Sequence, residues 1–275
     1  MRTYKRGFME EKIREAIRND EFDLYYQPQY KYVKENNFIN LIGAEALIRW
    51  HSKYGVIHPT SFIKIAEKNG QILKIGEIVL TKALNTLKEW NEIEHMNKLD
   101  LSVNVSPSQL ESDTFIPFIF NEIEKHGLYS SKLKLEITKG NETENFKEVS
   151  NTLFKLREKR IKISLNNYGM EYTSLETLLN VPACQMKIDK IFVKNLTMIE
   201  HSLEARQTIS SMKEFAGKNN KTIVAEGVET YFQLSTLLKI GIIKFQGFFF
   251  EKPVDKETFL KLVETTSCEP LEQFI

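Results

Sequence analysis

The chain has 275 residues, enough for one large domain or two small ones; 41% of them are apolar and 27% charged, the balance of an ordinary globular surface around a sizeable core. Lys and Arg number 38 against 37 acids, a net charge of +1, so there is no general field to draw in a nucleic acid or an anionic membrane. Met1 to Lys12 is charged throughout and lacks the apolar stretch of a signal peptide. The longest aromatic run, Phe248-Phe249-Phe250, falls far short of the roughly 18 apolar residues of a membrane span. Cys184 and Cys268 are far apart and form no ligand pattern, so the expectation is a reduced, cytoplasmic protein with neither nucleic acid nor membrane as partner.

No low-complexity stretch or Pro/Gly/Ser linker divides the chain. An amphipathic helix is expected around 10–19, carrying Ile13, Ala16 and Ile17. Two strand-like runs, 22–33 and 38–50, flank the polar Lys34-Glu35-Asn36-Asn37, a hairpin signal that makes them antiparallel. After Pro59 the period turns helical, with Ile72, Ile75, Val79, Ala83, Leu84 and Leu87 on one stripe. Strand and helix then alternate: strand 101–105, helix 115–125, strand 133–137, helix 144–159, strand 161–165, a short helix near 172–180. Strand 185–188, a long helix 195–217, strand 222–225, helix 230–239, strand 243–246 and helix 256–264 follow. Eight strands with helical crossovers are the pattern of a (β/α)8 TIM-like barrel with one antiparallel strand; an open doubly wound sheet is the competing fold. The expected layout is a leading helix in 1–21, a barrel domain over 22–265 and a tail over 266–275.

Barrel chemistry collects where strands end. The residues there are Glu45, Asn104, Glu136, Asn166, Asn167, Lys187 with Asp189, Glu226 and Gln246. Singly, each could be a helix cap or a solvated loop residue. Together they form a ring of hard oxygen donors plus a cation, suited to Mg²⁺ or Mn²⁺ and a phosphate. The five histidines show no HxH or HExxH spacing, which argues against zinc, and neither GxxxxGK[ST] nor GxGxxG occurs. Lys187 could form a Schiff base, but a lysine two residues from Asp189 reads more naturally as a charged partner.

At this point the residues resemble a known family. Tyr25-Tyr26-Gln27-Pro28 followed by Gly43-Ala44-Glu45-Ala46-Leu47-Ile48-Arg49-Trp50 is similar to the signature of the EAL domains. So are Pro59-Thr60-Ser61-Phe62-Ile63, Ala66-Glu67, Val103-Asn104-Val105-Ser106 and Leu135-Glu136-Ile137-Thr138. Met186-Lys187-Ile188-Asp189, Ala225-Glu226-Gly227-Val228-Glu229-Thr230 and Gln246-Gly247-Phe248 complete the series, in order over roughly residues 22–255.

The resemblance implies a barrel that opens cyclic di-GMP to a linear dinucleotide with two metal ions. It assigns Glu45, Asn104 and Glu136 to the first metal, and Asn166 and Asn167 to the metal-binding pair. Lys187 falls near the attacking water and Glu226 at a catalytic carboxylate, while Gln27, Leu47, Arg49 and Gln246 match ligand contacts, with Arg49 facing a phosphate. The match breaks at Asn166-Asn167-Tyr168-Gly169-Met170-Glu171, where the family usually reads Asp-Asp-Phe-Gly-Thr-Gly, and at Lys139, where it carries a glutamate. An amide brings one neutral oxygen where a carboxylate brings a charge and two oxygens. The expectation is therefore a degenerate domain with one weakened Mg²⁺ or Mn²⁺ site or none, acting as a cyclic di-GMP receptor. A protein-interaction regulator that no longer binds the dinucleotide, or a residual phosphodiesterase, are the alternatives. The resemblance also implies a homodimer, since family members often pair through the barrel.

Overall fold

The computed structural model describes residues 2–137, 146–168, 181–266 and 268–274, without the side chains of 2–6, 146–148, 167, 168 and 266. Helix α1 (Arg2–Arg18) leads into β1 (Phe22–Val33) and β2 (Phe38–Ser52), which pair antiparallel from Phe22 opposite Trp50 to Val33 opposite Phe38. A short β3 (Gly55–Ile57) folds back on β2, and α2 (Ile63–Lys68) and α3 (Gln71–Glu92) follow. Next come β4 (Asp100–Val105), α4 (Pro107–Leu110), α5 (Phe115–His126), β5 (Leu133–Ile137), α6 (Phe146–Glu158) and β6 (Lys162–Tyr168). After them come β7 (Gln185–Ile188), α7 (Lys190–Asn195), α8 (Ser202–Lys218), β8 (Thr222–Ala225), α9 (Tyr231–Ile240) and β9 (Lys244–Phe245). The described chain closes with α10 (Lys256–Thr266), β10 (Cys268–Pro270) and a 3-10 turn over Leu271–Phe274.

Strands β2, β4, β5, β6, β7, β8 and β9 run parallel in that order, and β1 closes the ring by pairing antiparallel with both β9 and β2. The result is a closed eight-stranded mixed barrel rather than an open sheet. Closure removes the edges that an open sheet leaves unpaired. The antiparallel strand is β1, as the hairpin signal requires. Gly43 lies opposite Asp100 where β2 meets β4; a Cβ there would sit 2.3 Å from the Asp100 carbonyl oxygen, so only glycine lets the strands approach.

The apolar stripe of α3 is fully realised: Ile72, Ile75, Val79, Ala83, Leu84 and Leu87 are all buried. Aromatic rings brace the outer wall, where Trp90 stacks on Phe259 at 5.1 Å and Tyr26 donates to or accepts from Thr86 Oγ1 at 2.7 Å. Each such buried side chain contributes about 1.5–3 kcal/mol.

One expectation needs correction. The long helix expected over 195–217 begins only at Ser202, as α8, and a separate short helix α7 precedes it, started directly after β7 where Asp189 accepts from Ile191 N–H at 2.8 Å. The tail pairs with β2 through Cys268–Pro270, a contact without a local sequence signal. Thr230 caps α9, in a box with Gln233. The helix expected near 172–180 lies outside the described residues. Among the described residues no helix is long and apolar enough to cross a membrane.

Candidate functional site

Because side chains alternate along a strand, residues two apart share a face. That alternation aims Gln27, Glu45, Asn104, Glu136, Asn166, Lys187 and Glu226 into the barrel near the C-terminal ends of the parallel strands, and Gln246 follows directly on β9. The structure brings these sequence-predicted residues together.

Lys187 is the hub. Its ammonium, fully buried, donates to Glu45 Oε2 at 2.9 Å and Glu136 Oε2 at 2.5 Å, and pairs with Glu226 Oε1. Asp189, the sequence-based partner, instead caps α7. Lys187 therefore holds three carboxylates and is in no position to act as an isolated amine nucleophile. Burial pulls its pKa down, but Glu136, Glu226 and Glu45 together hold it well above the usual lysine range. For Glu45, burial works to raise the pKa, yet Lys187 and the amides of Asn104 and Gln246 outweigh it and leave it lowered. Glu226 is the weak member: burial, opposed by Lys187 but reinforced by Glu45 and Glu136, pushes it up to about 7. Its side chain keeps 21% of its surface exposed, the outward side of the cluster.

Around this hub runs an amide belt. Asn104 Nδ2 donates to Glu45 Oε1 at 2.6 Å, and Gln246 Nε2 donates to Glu45 Oε2 at 2.8 Å and Gln27 Oε1 at 3.0 Å. Asn166 Nδ2 donates to Asn104 Oδ1 at 3.2 Å, while Asn166 Oδ1 is buried without a hydrogen-bond partner among the described residues. The sequence reading missed Gln29, which donates to Gln246 Oε1 at 3.0 Å and is buried. Its spacing of two from Gln27 was the available signal.

Arg49 stands apart. It is buried, donates to the Ile48 carbonyl at 2.9 Å and lies 5.3 Å from the Tyr25 ring centre, with no carboxylate partner among the described residues. Burial draws its pKa down, with Tyr25 and Glu45 opposing. A buried guanidinium without a carboxylate has its fork available for an anion. Leu47 is half-buried on the same strand and the same face as Arg49. Asn167 is on β6, its side chain outside the description, and Lys139, Gly169, Met170 and Glu171 lie outside the described residues.

Glu45, Glu136 and Glu226 each offer a carboxylate oxygen within 4.8 Å of the others. Three carboxylates against one ammonium leave an excess of negative charge, and the unpartnered Asn166 oxygen adds a neutral donor. That set fits one hard dication such as Mg²⁺ or Mn²⁺.

The EAL domain family model matches residues 10–253 of the chain. The signaling protein YkoW of Bacillus subtilis is 32% identical over 252 residues, covering 91% of this chain and 30% of that protein. The cyclic di-GMP phosphodiesterase NbdA of Pseudomonas aeruginosa is 32% identical over 267 residues, covering 96% of this chain and 33% of that protein. The chain thus spans about a third of the length of these relatives. Among solved structures, the MucR phosphodiesterase in complex with c-di-GMP superposes with a TM-score of 0.83 at 31% identity, covering 91% of this chain and 99% of that one.

Proposed function

The chain belongs to the EAL domain family, and from that premise we propose that its barrel mouth is a cyclic di-GMP receptor site whose hydrolytic step is weak or lost. Phosphodiesterases of this family generally depend on divalent metal. The observation that carries the reading is Asn166. It reaches the amide belt at the end of β6, and its buried Oδ1 is one neutral oxygen where a carboxylate would supply charge and a second oxygen.

A single cation would be held by Glu45, Glu136 and the carbonyl oxygens of Asn104 and Asn166, with Glu226 beside them. When bound it would polarise a phosphoryl oxygen. A second cation would need an anionic bridge, and Asn166 and Asn167 are both neutral. This is the physical basis for reading the domain as degenerate and its metal site as weakened.

The remaining contacts act without a metal. Arg49 pairs with a phosphate, Gln27 and Gln246 offer amides to the ligand, and Leu47 supplies an apolar wall. Lys187 screens the carboxylates so that an anionic ligand can enter. Glu226, with a pKa near 7, holds its proton for a large part of the time at neutral pH and removes one further repulsive charge.

A second reading, residual phosphodiesterase activity, draws support from the clustering of Glu45, Asn104, Glu136, Lys187 and Glu226. In that case turnover vanishes in Glu45→Ala. The experiment is calorimetric titration with cyclic di-GMP in EDTA and again in Mn²⁺. Saturable binding in EDTA without sustained heat in Mn²⁺ supports the receptor. Sustained heat supports the enzyme, and no binding in either buffer overturns both. Arg49→Ala should weaken binding about 10- to 100-fold, the worth of a charge-assisted phosphate contact of roughly 1.5–3 kcal/mol.

A further inference from the structure

The alternation that points Glu136 into the barrel points Lys134 inward too, two residues nearer the start of β5. In register, Lys162 of β6 lies on one side of Lys134 and Ser102 of β4 on the other, with Asp100 two residues before Ser102. Across the barrel, Lys31 of β1 is opposite Lys244 of β9. The end of the barrel away from the mouth therefore carries four lysines and Asp100.

Asp100 does not neutralise them. Lys162 Nζ donates to both of its carboxylate oxygens at 2.7 Å. Lys134 Nζ stops 3.9 Å from Asp100 Oδ2, beyond hydrogen-bond distance, although only 5% of its side-chain surface is exposed. Beside it, the Ser102 hydroxyl is buried without a hydrogen-bond partner among the described residues. A buried ammonium and a buried hydroxyl both cost free energy when unmatched, and here they are register neighbours on the same inward face. Lys244 is crowded by like charge as well, its pKa lowered by burial first and then by Lys31. An anion carrying two or more charges would relieve all of these at once. Nothing in the mouth uses these residues.

We propose that this end of the barrel is a second ligand site, taking a small multiply charged phosphate, with Lys134 and Ser102 as its buried donors and Lys31, Lys162 and Lys244 closing around it. The site is separate from the dinucleotide-binding mouth, so it stands or falls independently of that reading. A single tetrahedral oxyanion can take one donor from each wall, as a compact lysine cage allows.

The test is thermal unfolding and calorimetric titration of the full chain with sodium pyrophosphate, and separately inorganic phosphate, in EDTA against sodium chloride of matched ionic strength. Four proteins are compared: wild type, Lys134→Met, Lys244→Gln and Arg49→Ala. Lys134→Met exchanges a buried charge for an apolar chain of similar length, a change that cores tolerate. Lys244→Gln provides an independent half-buried variant. The expected result is saturable stabilisation of wild type and Arg49→Ala, with affinity at least about tenfold weaker in both lysine variants, as loss of one charged contact predicts. No stabilisation of wild type beyond the chloride control overturns the proposal. So does binding undiminished in both lysine variants, or binding abolished by Arg49→Ala, which would place the anion in the mouth.

Discussion

Replacing Lys187 with methionine removes the one cation that three carboxylates share. Glu45 and Glu136 are buried, and both lose a short ion pair, at 2.9 and 2.5 Å. Breaking a buried pair from one side costs about 3–5 kcal/mol, because the charge left behind is uncompensated. For a domain of this size that corresponds to a fall in Tm of roughly 6–20 °C at pH 8. The sign with pH follows from the carboxylates. Glu226 already has a folded-state pKa raised to about 7 by burial, and loss of Lys187 raises it further. A raised pKa means that stability is present at low pH and is lost as pH climbs through the folded-state value. The variant should therefore lie close to wild type at pH 5 and far below it at pH 8. Added Mn²⁺ should recover part of the deficit by binding the carboxylates, about 2.7 kcal/mol at a hundredfold excess over Kd. Circular dichroism melts at pH 5 and 8, in EDTA and in Mn²⁺, measure all of this. A pH 8 loss below about 2 °C, or a loss just as large at pH 5, would refute the electrostatic account.

Asn166→Asp should tighten Mn²⁺ binding about 10- to 100-fold by adding a charge beside Asn104 and Glu45, read by electron paramagnetic resonance of free Mn²⁺. An unchanged affinity would place Asn166 outside the cation's reach. Gly43→Ala should cost about 1–3 kcal/mol in urea unfolding, since the added methyl sits 2.3 Å from the Asp100 carbonyl oxygen and two strands must part to admit it. Burial pushes the Tyr26 hydroxyl up to about 12, so its stabilising contribution is complete below pH 10 and lost as pH rises toward 12. Tyr26→Phe should then be less stable than wild type by about 1 kcal/mol near neutrality, through the lost Thr86 bond, and should lose less on going from pH 10 to pH 12.

Much of the site was legible because strand period and barrel architecture do the placing. Once β4, β5 and β7 were recognised, Asn104, Glu136 and Lys187 had to share one face and one end. What pairs with what was not legible. Lys187 was matched to Asp189 two residues on, yet an interval of two in a strand followed by a helix start sends Asp189 to cap α7. Its partners, Glu45 on β2, Glu136 on β5 and Glu226 just past β8, are far away in the chain. Gln29 shares its face with Gln27 two residues before it, but which amide it bonds, Gln246 from the far end of the chain, has no local signal. The lysines of the far end were missed for the same reason, since Lys31, Lys134, Lys162 and Lys244 are each an unremarkable charge in sequence.

By itself the sequence determined the element types, the hairpin that turns β1 against its neighbours, the apolar stripe of α3 and the chemistry available at each strand end. Those properties depend on local period, turn residues and side-chain type. Only the tertiary structure decided that the sheet closes, that one ammonium serves three carboxylates, that Arg49 is buried with no carboxylate partner among the described residues and that β10 returns to β2. Each of these depends on contacts between residues distant in the chain, where burial and charge are set by neighbours that no local window contains.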